Sequence, residues 1–207
     1  MFKRTVHSFK LLNLAAGIFL GIGMVFPVHA GLFDQLTKQS TDQGSTKENL
    51  WIGKPAPPFK LQDQTKKWHS AEQYRGKWLV IYFYPKDGTP GCTTEARQFR
   101  DLYPQFQKNN AAVLGVSLDD ADSHAKFSND LGLPFPLLAD TQHQLASSFN
   151  VLRNLGITKM TKRESFLIDP KGIIVYHYVS INTETHAQQV LDDIQRLGKP
   201  SIAQAIK

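Results

Sequence analysis

Trp78-Leu79-Val80-Ile81-Tyr82-Phe83-Tyr84 is a seven-residue apolar run, preceded by Gly76 and stopped by Pro85. Its aromatic and β-branched content, without polar alternation, predicts a strand buried on both faces, as inner strands of a doubly covered sheet are. Lys86-Asp87-Gly88-Thr89-Pro90-Gly91 follows as a turn-dense segment. From Cys92 to Leu102 the chain then places Ala96, Phe99, Leu102 and Tyr103 at three- and four-residue spacing, the period of an amphipathic helix. Cys92 therefore falls where a buried strand hands over to a helix.

The pattern recurs downstream. Ala112 to Leu118 predicts a second buried strand, and Ser123 to Leu131 a helix with Asp119, Asp120 and Asp122 near the N-terminal end that anions favour. A further helix is expected over Gln144 to Phe149. Glu164 to Asp169 and Ile173 to Tyr178 flank Pro170-Lys171-Gly172 and predict a hairpin, and Thr185 to Leu197 a closing helix whose apolar stripe is Ala187, Val190, Leu191 and Ile194. Upstream, Lys54-Pro55-Ala56-Pro57-Pro58 punctuates the chain before Phe59-Lys60-Leu61, which alternates like a short strand. Strand-helix alternation ending in a hairpin and a helix predicts the α/β class, a thioredoxin-like fold with a mixed β-sheet flanked by helices. The domain is expected over residues 50–207.

Residues 31–49 hold too few apolar side chains to offset chain ordering and predict a flexible arm. Before them, Lys3, Arg4, His7 and Lys10 precede an almost wholly apolar stretch from Leu11 to Phe26, and Val28-His29-Ala30 follows. A basic start, an apolar middle and an A-x-A-like end make a secretory signal over residues 1–30, cleaved near Ala30, with a retained anchor as the alternative. The apolar run is shorter than the ~20 residues a membrane span requires, so no stable membrane anchor is expected. The expected location is exported, most simply a bacterial periplasm.

The net charge of +6 owes three charges to that leader, and the rest contains no Lys/Arg runs. Aromatic residues 78 and 82–84 are not interleaved with basic ones, so no nucleic-acid partner is expected. The chain has one cysteine, Cys92. That excludes an intramolecular disulfide, a CxxC pair and a multi-cysteine metal site. His69, His124, His143, His177 and His186 lie far apart in sequence, so neither a metal nor any cofactor is expected.

At a helix N-terminus, unpaired N–H groups and the positive dipole end favour a thiolate over a thiol. Gly91, Thr93 and Thr94 make no core packing shell around Cys92, so a reactive sulfur is the reading preferred over an inert buried one.

Tyr82 to Glu95 contains Pro85-Lys86-Asp87-Gly88-Thr89-Pro90-Gly91-Cys92, which resembles the P-x-x-x-T-x-x-C active-site segment of peroxiredoxins, in the wording of the bacterioferritin comigratory protein, or peroxiredoxin Q, branch of the AhpC/TSA family. Arg163 ahead of Ser165-Phe166-Leu167-Ile168-Asp169 is similar to that branch too, as is Gly53-Lys54-Pro55-Ala56-Pro57 near the domain's start. The resemblance runs from about Leu50 to Leu197 and implies a thiol peroxidase acting on hydrogen peroxide and organic hydroperoxides. It implies that Cys92 is the peroxidatic thiolate, that Thr89 hydrogen-bonds sulfur or peroxide, and that Pro85 covers the sulfur. Arg163 would stabilise the thiolate and donate to the oxygen that gains charge, with the peptide N–H groups of Gly91 and Cys92 assisting. Glu95 either orients the arginine or, as an acid in the first helical turn, simply answers the helix dipole. Many members carry a resolving cysteine five residues after the first, where this chain has Arg97. The expectation is therefore a one-cysteine enzyme whose sulfenic acid is reduced by an external thiol, a thioredoxin-like protein, glutathione or a small thiol, in a monomer or homodimer. The alternative is a redox sensor or thiol-disulfide partner protein without turnover.

Overall fold

The computed structural model describes residues 50–199. The expected signal and arm lie outside the described residues.

Among the described residues nine strands and four α-helices follow one another: β1 (Lys60–Gln62), β2 (Trp68–Ser70), β3 (Trp78–Phe83), α1 (Pro90–Lys108), β4 (Ala111–Ser117), α2 (Ala121–Leu131), β5 (Leu137–Ala139), α3 (Gln144–Ser148), β6 (Leu152–Asn154), β7 (Lys159–Thr161), β8 (Glu164–Ile168), β9 (Ile174–Tyr178) and α4 (His186–Leu197). Five strands form the main sheet in the order β5-β4-β3-β8-β9. Strands β3, β4 and β5 run parallel, while β8 and β9 are antiparallel to their neighbours, so the sheet is mixed as expected. The pairs β1–β2 and β6–β7 are separate two-stranded hairpins.

The apolar run at β3 is the central strand, and its period of two sorts the core. Val80, Tyr82 and Tyr84 face a cluster with Cys92, Ala96, Phe99 and Phe106 of α1 and Ala187, Val190, Leu191 and Ile194 of α4. Leu79, Ile81 and Phe83 face a second cluster with Leu145 and Ala146 of α3, Phe149, Phe166 and Ile174. Cys92 thus belongs to the tyrosine side of the sheet.

Several boundaries differ from the sequence reading. Helix α1 runs to Lys108 through Pro104, which forgoes one backbone bond, because Phe99 and Phe106 are both fully buried and hold the helix across it. Strand β4 ends at Ser117, since that hydroxyl donates to Asp119 at 2.8 Å and turns the chain. The hairpin turn between β8 and β9 is built as expected: Gly172 has φ 82°, and the Asp169 carboxylate accepts from the Lys171 and Ile173 amides at 2.9 and 2.8 Å.

Candidate active site

Pro90 opens α1, so Cys92 is its third residue, inside the first turn and not ahead of it. Pro90 has no N–H to leave unpaired, and its fixed φ suits a helix start. The Thr93 amide bonds the Thr89 carbonyl at 2.9 Å. The Gly91 and Cys92 amides belong to the first turn, which has no intrahelical acceptors. Thr89 occupies the capping position but makes no side-chain cap bond; its hydroxyl donates to the Lys86 carbonyl at 3.0 Å. A hydroxyl has one proton, so the bond expected from Thr89 to the sulfur is not made here. Thr89 closes the loop instead, and the two amides beside Cys92 stay uncapped.

Arg163, just before β8, crosses the gap expected of it. Its Nη2 donates to Cys92 Sγ at 3.2 Å, and its Nη1 is bonded to Glu95 Oε2. One planar fork therefore holds the sulfur and a carboxylate one helical turn apart. Gly91 makes room for it: a Cβ there would lie 3.3 Å from Nη2 of Arg163 and 3.9 Å from Cγ2 of Thr183. Thr183, in the segment before α4, thus also lies beside Gly91, which nothing in the sequence announces.

Glu95 is fully buried, and its second oxygen has no partner. Burial pushes its carboxyl up to about 7 against the pull of the Arg163 charge. The Arg163 guanidinium is raised in turn: burial works against its charge, but Glu95 and Cys92 outweigh it. The Tyr82 hydroxyl is likewise buried without a partner, fitted over Gly115, where a Cβ would meet it at 2.7 Å.

Pro85 opens the loop and is half-buried. The loop is fixed at several points. Thr161 of β7 donates to the Tyr84 carbonyl at 2.5 Å, and the Asp87 amide donates to Asp119 at 2.9 Å. The Asp87 carboxylate accepts from the Tyr84 hydroxyl and from Ser123 Oγ, both at 2.8 Å, and meets His124 Nδ1 at 2.8 Å. Gly88 supplies the left-handed turn at φ 71°. Sequence reading missed this clamp, because apart from the Tyr84–Asp87 bond its partners lie more than thirty residues apart.

Three further histidines are buried in structural hydrogen bonds. His69 meets Asp63 and His177 meets Glu164, each at 2.8 Å, and His186 meets Ser165 at 2.9 Å. Burial pushes His186 down to about 4, so it stays neutral at physiological pH. Arg97, at the position where many family members carry a resolving cysteine, is exposed on α1.

A thiol at a helix N-terminus, two free amides and a guanidinium on the sulfur form a site that can hold a thiolate and stabilise charge appearing on an oxygen beside it. Comparisons with known proteins agree with that chemistry. Residues 52–177 match the AhpC/TSA family model. The Peroxiredoxin Bcp of Bacillus subtilis is 38% identical over 152 residues, covering 72% of this chain and 97% of that protein. The chloroplastic Peroxiredoxin Q of Triticum aestivum is 40% identical over 146 residues, covering 70% of this chain and 67% of that protein. Among solved structures, the bacterioferritin comigratory protein of Xanthomonas campestris, studied for its alkyl peroxide reduction activity, superposes with a TM-score of 0.64 at 36% identity, covering 68% of this chain and 92% of that one.

Proposed function

Because this chain belongs to the AhpC/TSA family and is a thiol-dependent peroxidase of the Bcp/peroxiredoxin Q kind, we propose that it runs a one-cysteine cycle outside the cytoplasm, with Cys92 as the only sulfur it supplies. The observation that carries this is the Arg163 Nη2 contact to Cys92 Sγ at 3.2 Å, in a chain with no second cysteine.

The sulfur of Cys92 attacks the terminal oxygen of a peroxide; the S–O bond forms as the O–O bond breaks, and the departing alkoxide or hydroxide takes a proton to leave as alcohol or water. Charge that builds on oxygen is met by Arg163 and by the Gly91 and Cys92 amides. Cys92 becomes a sulfenic acid, and an external thiol condenses with it, releases water and leaves a mixed disulfide. A second external thiol frees Cys92 and completes the two-electron reduction. Hydrogen peroxide and organic hydroperoxides are the substrates; the alkyl peroxide activity of the Xanthomonas relative supports the second class. The basic, apolar, A-x-A order of residues 1–30 supports export to a periplasm. The relatives do not favour the sensor reading.

The test mixes full-length protein with hydrogen peroxide and an organic hydroperoxide, counting thiols and recording intact mass beside a Cys92→Ser control. Loss of one thiol with an added oxygen, followed by repeated turnover under dithiothreitol, is expected of the wild type alone. A single equivalent consumed, without recovery under dithiothreitol, would sink the cycle.

A further inference from the structure

The segment from Val151 to Arg163 carries Arg153, Lys159, Lys162 and Arg163 and no carboxylate. In the fold it is an arm rooted at the active site. Val151 is fully buried, Thr161 is bonded to the carbonyl of Tyr84 beside Pro85, and Arg163 reaches Cys92. From that root β6 and β7 run outward, with Arg153 opposite Met160 and Asn154 opposite Lys159, closed where the Leu155 amide bonds the Thr158 carbonyl at 2.9 Å. At ~3.3 Å per residue the tip stands roughly 13 Å from Thr161.

That tip is apolar. Ile157 is 102% exposed and Leu155 46% exposed, with Arg153 and Lys159 exposed beside them. The next carboxylate along the chain, Glu164, is buried against His177 at 2.8 Å and does not neutralise them. An apolar centre framed by cations is complementary to an acidic surface with its own apolar centre, and such charge pairing steers encounter more than it tightens binding. The one-cysteine cycle proposed above requires a thiol from outside the chain, and this arm is rooted in the segment that carries Arg163 to Cys92.

We propose that the β6–β7 hairpin docks an acidic dithiol protein that reduces oxidised Cys92, a reading that rests on the one-cysteine cycle. The donor's first thiol condenses with the Cys92 sulfenic acid, forming the S–S bond and releasing water. Its second thiol attacks the donor sulfur, so the donor leaves as a disulfide and Cys92 as a thiolate.

The experiment follows turnover of hydrogen peroxide by the full chain with two reductants in parallel: a reduced thioredoxin of net negative charge, recycled by its reductase, and dithiothreitol. The variants are a double reversal, Arg153→Glu with Lys159→Glu, and Ile157→Ser. The thioredoxin-dependent kcat/KM is expected to fall about ten-fold in the reversal and several-fold in Ile157→Ser, and the wild-type value to fall as salt rises from about 20 to about 200 mM. Turnover with dithiothreitol is expected to be unchanged in both. Variants that keep wild-type thioredoxin kinetics overturn the docking, as does an equal loss with dithiothreitol. Wild-type binding to anionic phospholipid vesicles that the reversal abolishes, with thioredoxin kinetics unchanged, overturns it in favour of a membrane surface. Wild-type turnover with dithiothreitol and none with thioredoxin also overturns it but leaves the one-cysteine cycle standing; no turnover with either reductant overturns both.

Discussion

Replacing Glu95 with glutamine should remove a slope from the protein's stability against pH. Glu95 is fully buried, one of its oxygens meets Arg163 and the other meets nothing, and burial pushes its carboxyl from 4.5 up to about 7. The unfolded chain keeps the ordinary value, so between those two values the folded state binds the extra proton. Stability from this group is therefore fully present below pH 4.5 and is lost as pH rises through 7. The interval corresponds to on the order of 3 kcal/mol. Glutamine has nearly the same shape and binds no proton. Urea unfolding of both proteins at about pH 5 and about pH 8.5 should show the wild type losing on the order of 3 kcal/mol relative to Glu95→Gln across that range. A difference between the two proteins that is the same at both pH values would refute the reasoning, and with it the claim that desolvation outweighs the Arg163 charge at this carboxyl.

Three further perturbations probe the site from other sides. Gly91→Ala places a Cβ 3.3 Å from Arg163 Nη2, so the guanidinium must retreat by a few tenths of an ångström; stopped-flow reaction with hydrogen peroxide should slow about ten-fold, with little change in Tm. Arg163→Lys keeps the charge but not the fork that reaches both Cys92 and Glu95, and a 10- to 100-fold slower peroxide reaction is expected, on the order of 1.4 to 3 kcal/mol of barrier. Asp87→Ala strips the acceptor shared by Tyr84, Ser123 and His124, for ~3 kcal/mol of stability by chemical unfolding, with Asp87→Asn losing less.

The strand-to-helix handover was legible because β3 is apolar without alternation and its successor switches to a period near 3.6. Both signals are local, and they placed Cys92 within two residues of where the helix begins. Arg163 is 71 residues further on, and only the joint pattern of its flanks with the Cys92 segment tied the two together. Of the five three-residue strands only β1 was expected, from the alternation of Phe59-Lys60-Leu61; β2, β5, β6 and β7 are too short to carry a clear period. The partner of a short polar side chain was equally beyond reach. Thr89 could face sulfur or loop on sequence grounds, and the Lys86 carbonyl decided it. Asp87 reads as a turn residue until Ser123 and His124 arrive on α2 to surround it. Glu95 reads in the sequence as a dipole-favoured acid of the first turn, but it lies one turn further on, and its burial depends on α1 packing against the sheet.

The near-complete enclosure of Cys92, only 1% exposed, means that the two halves of a cycle at this sulfur make unequal demands on space. A peroxide is a few atoms across and needs little room to reach the sulfur. A protein donor has to bring a sulfur on a folded surface to the same atom, and an atom enclosed this fully offers such a surface no contact. Oxidation is then a matter of admission, sieving reagents by bulk before chemistry chooses among them, while reduction by a protein is a matter of presentation, requiring the first turn to yield its sulfur outward.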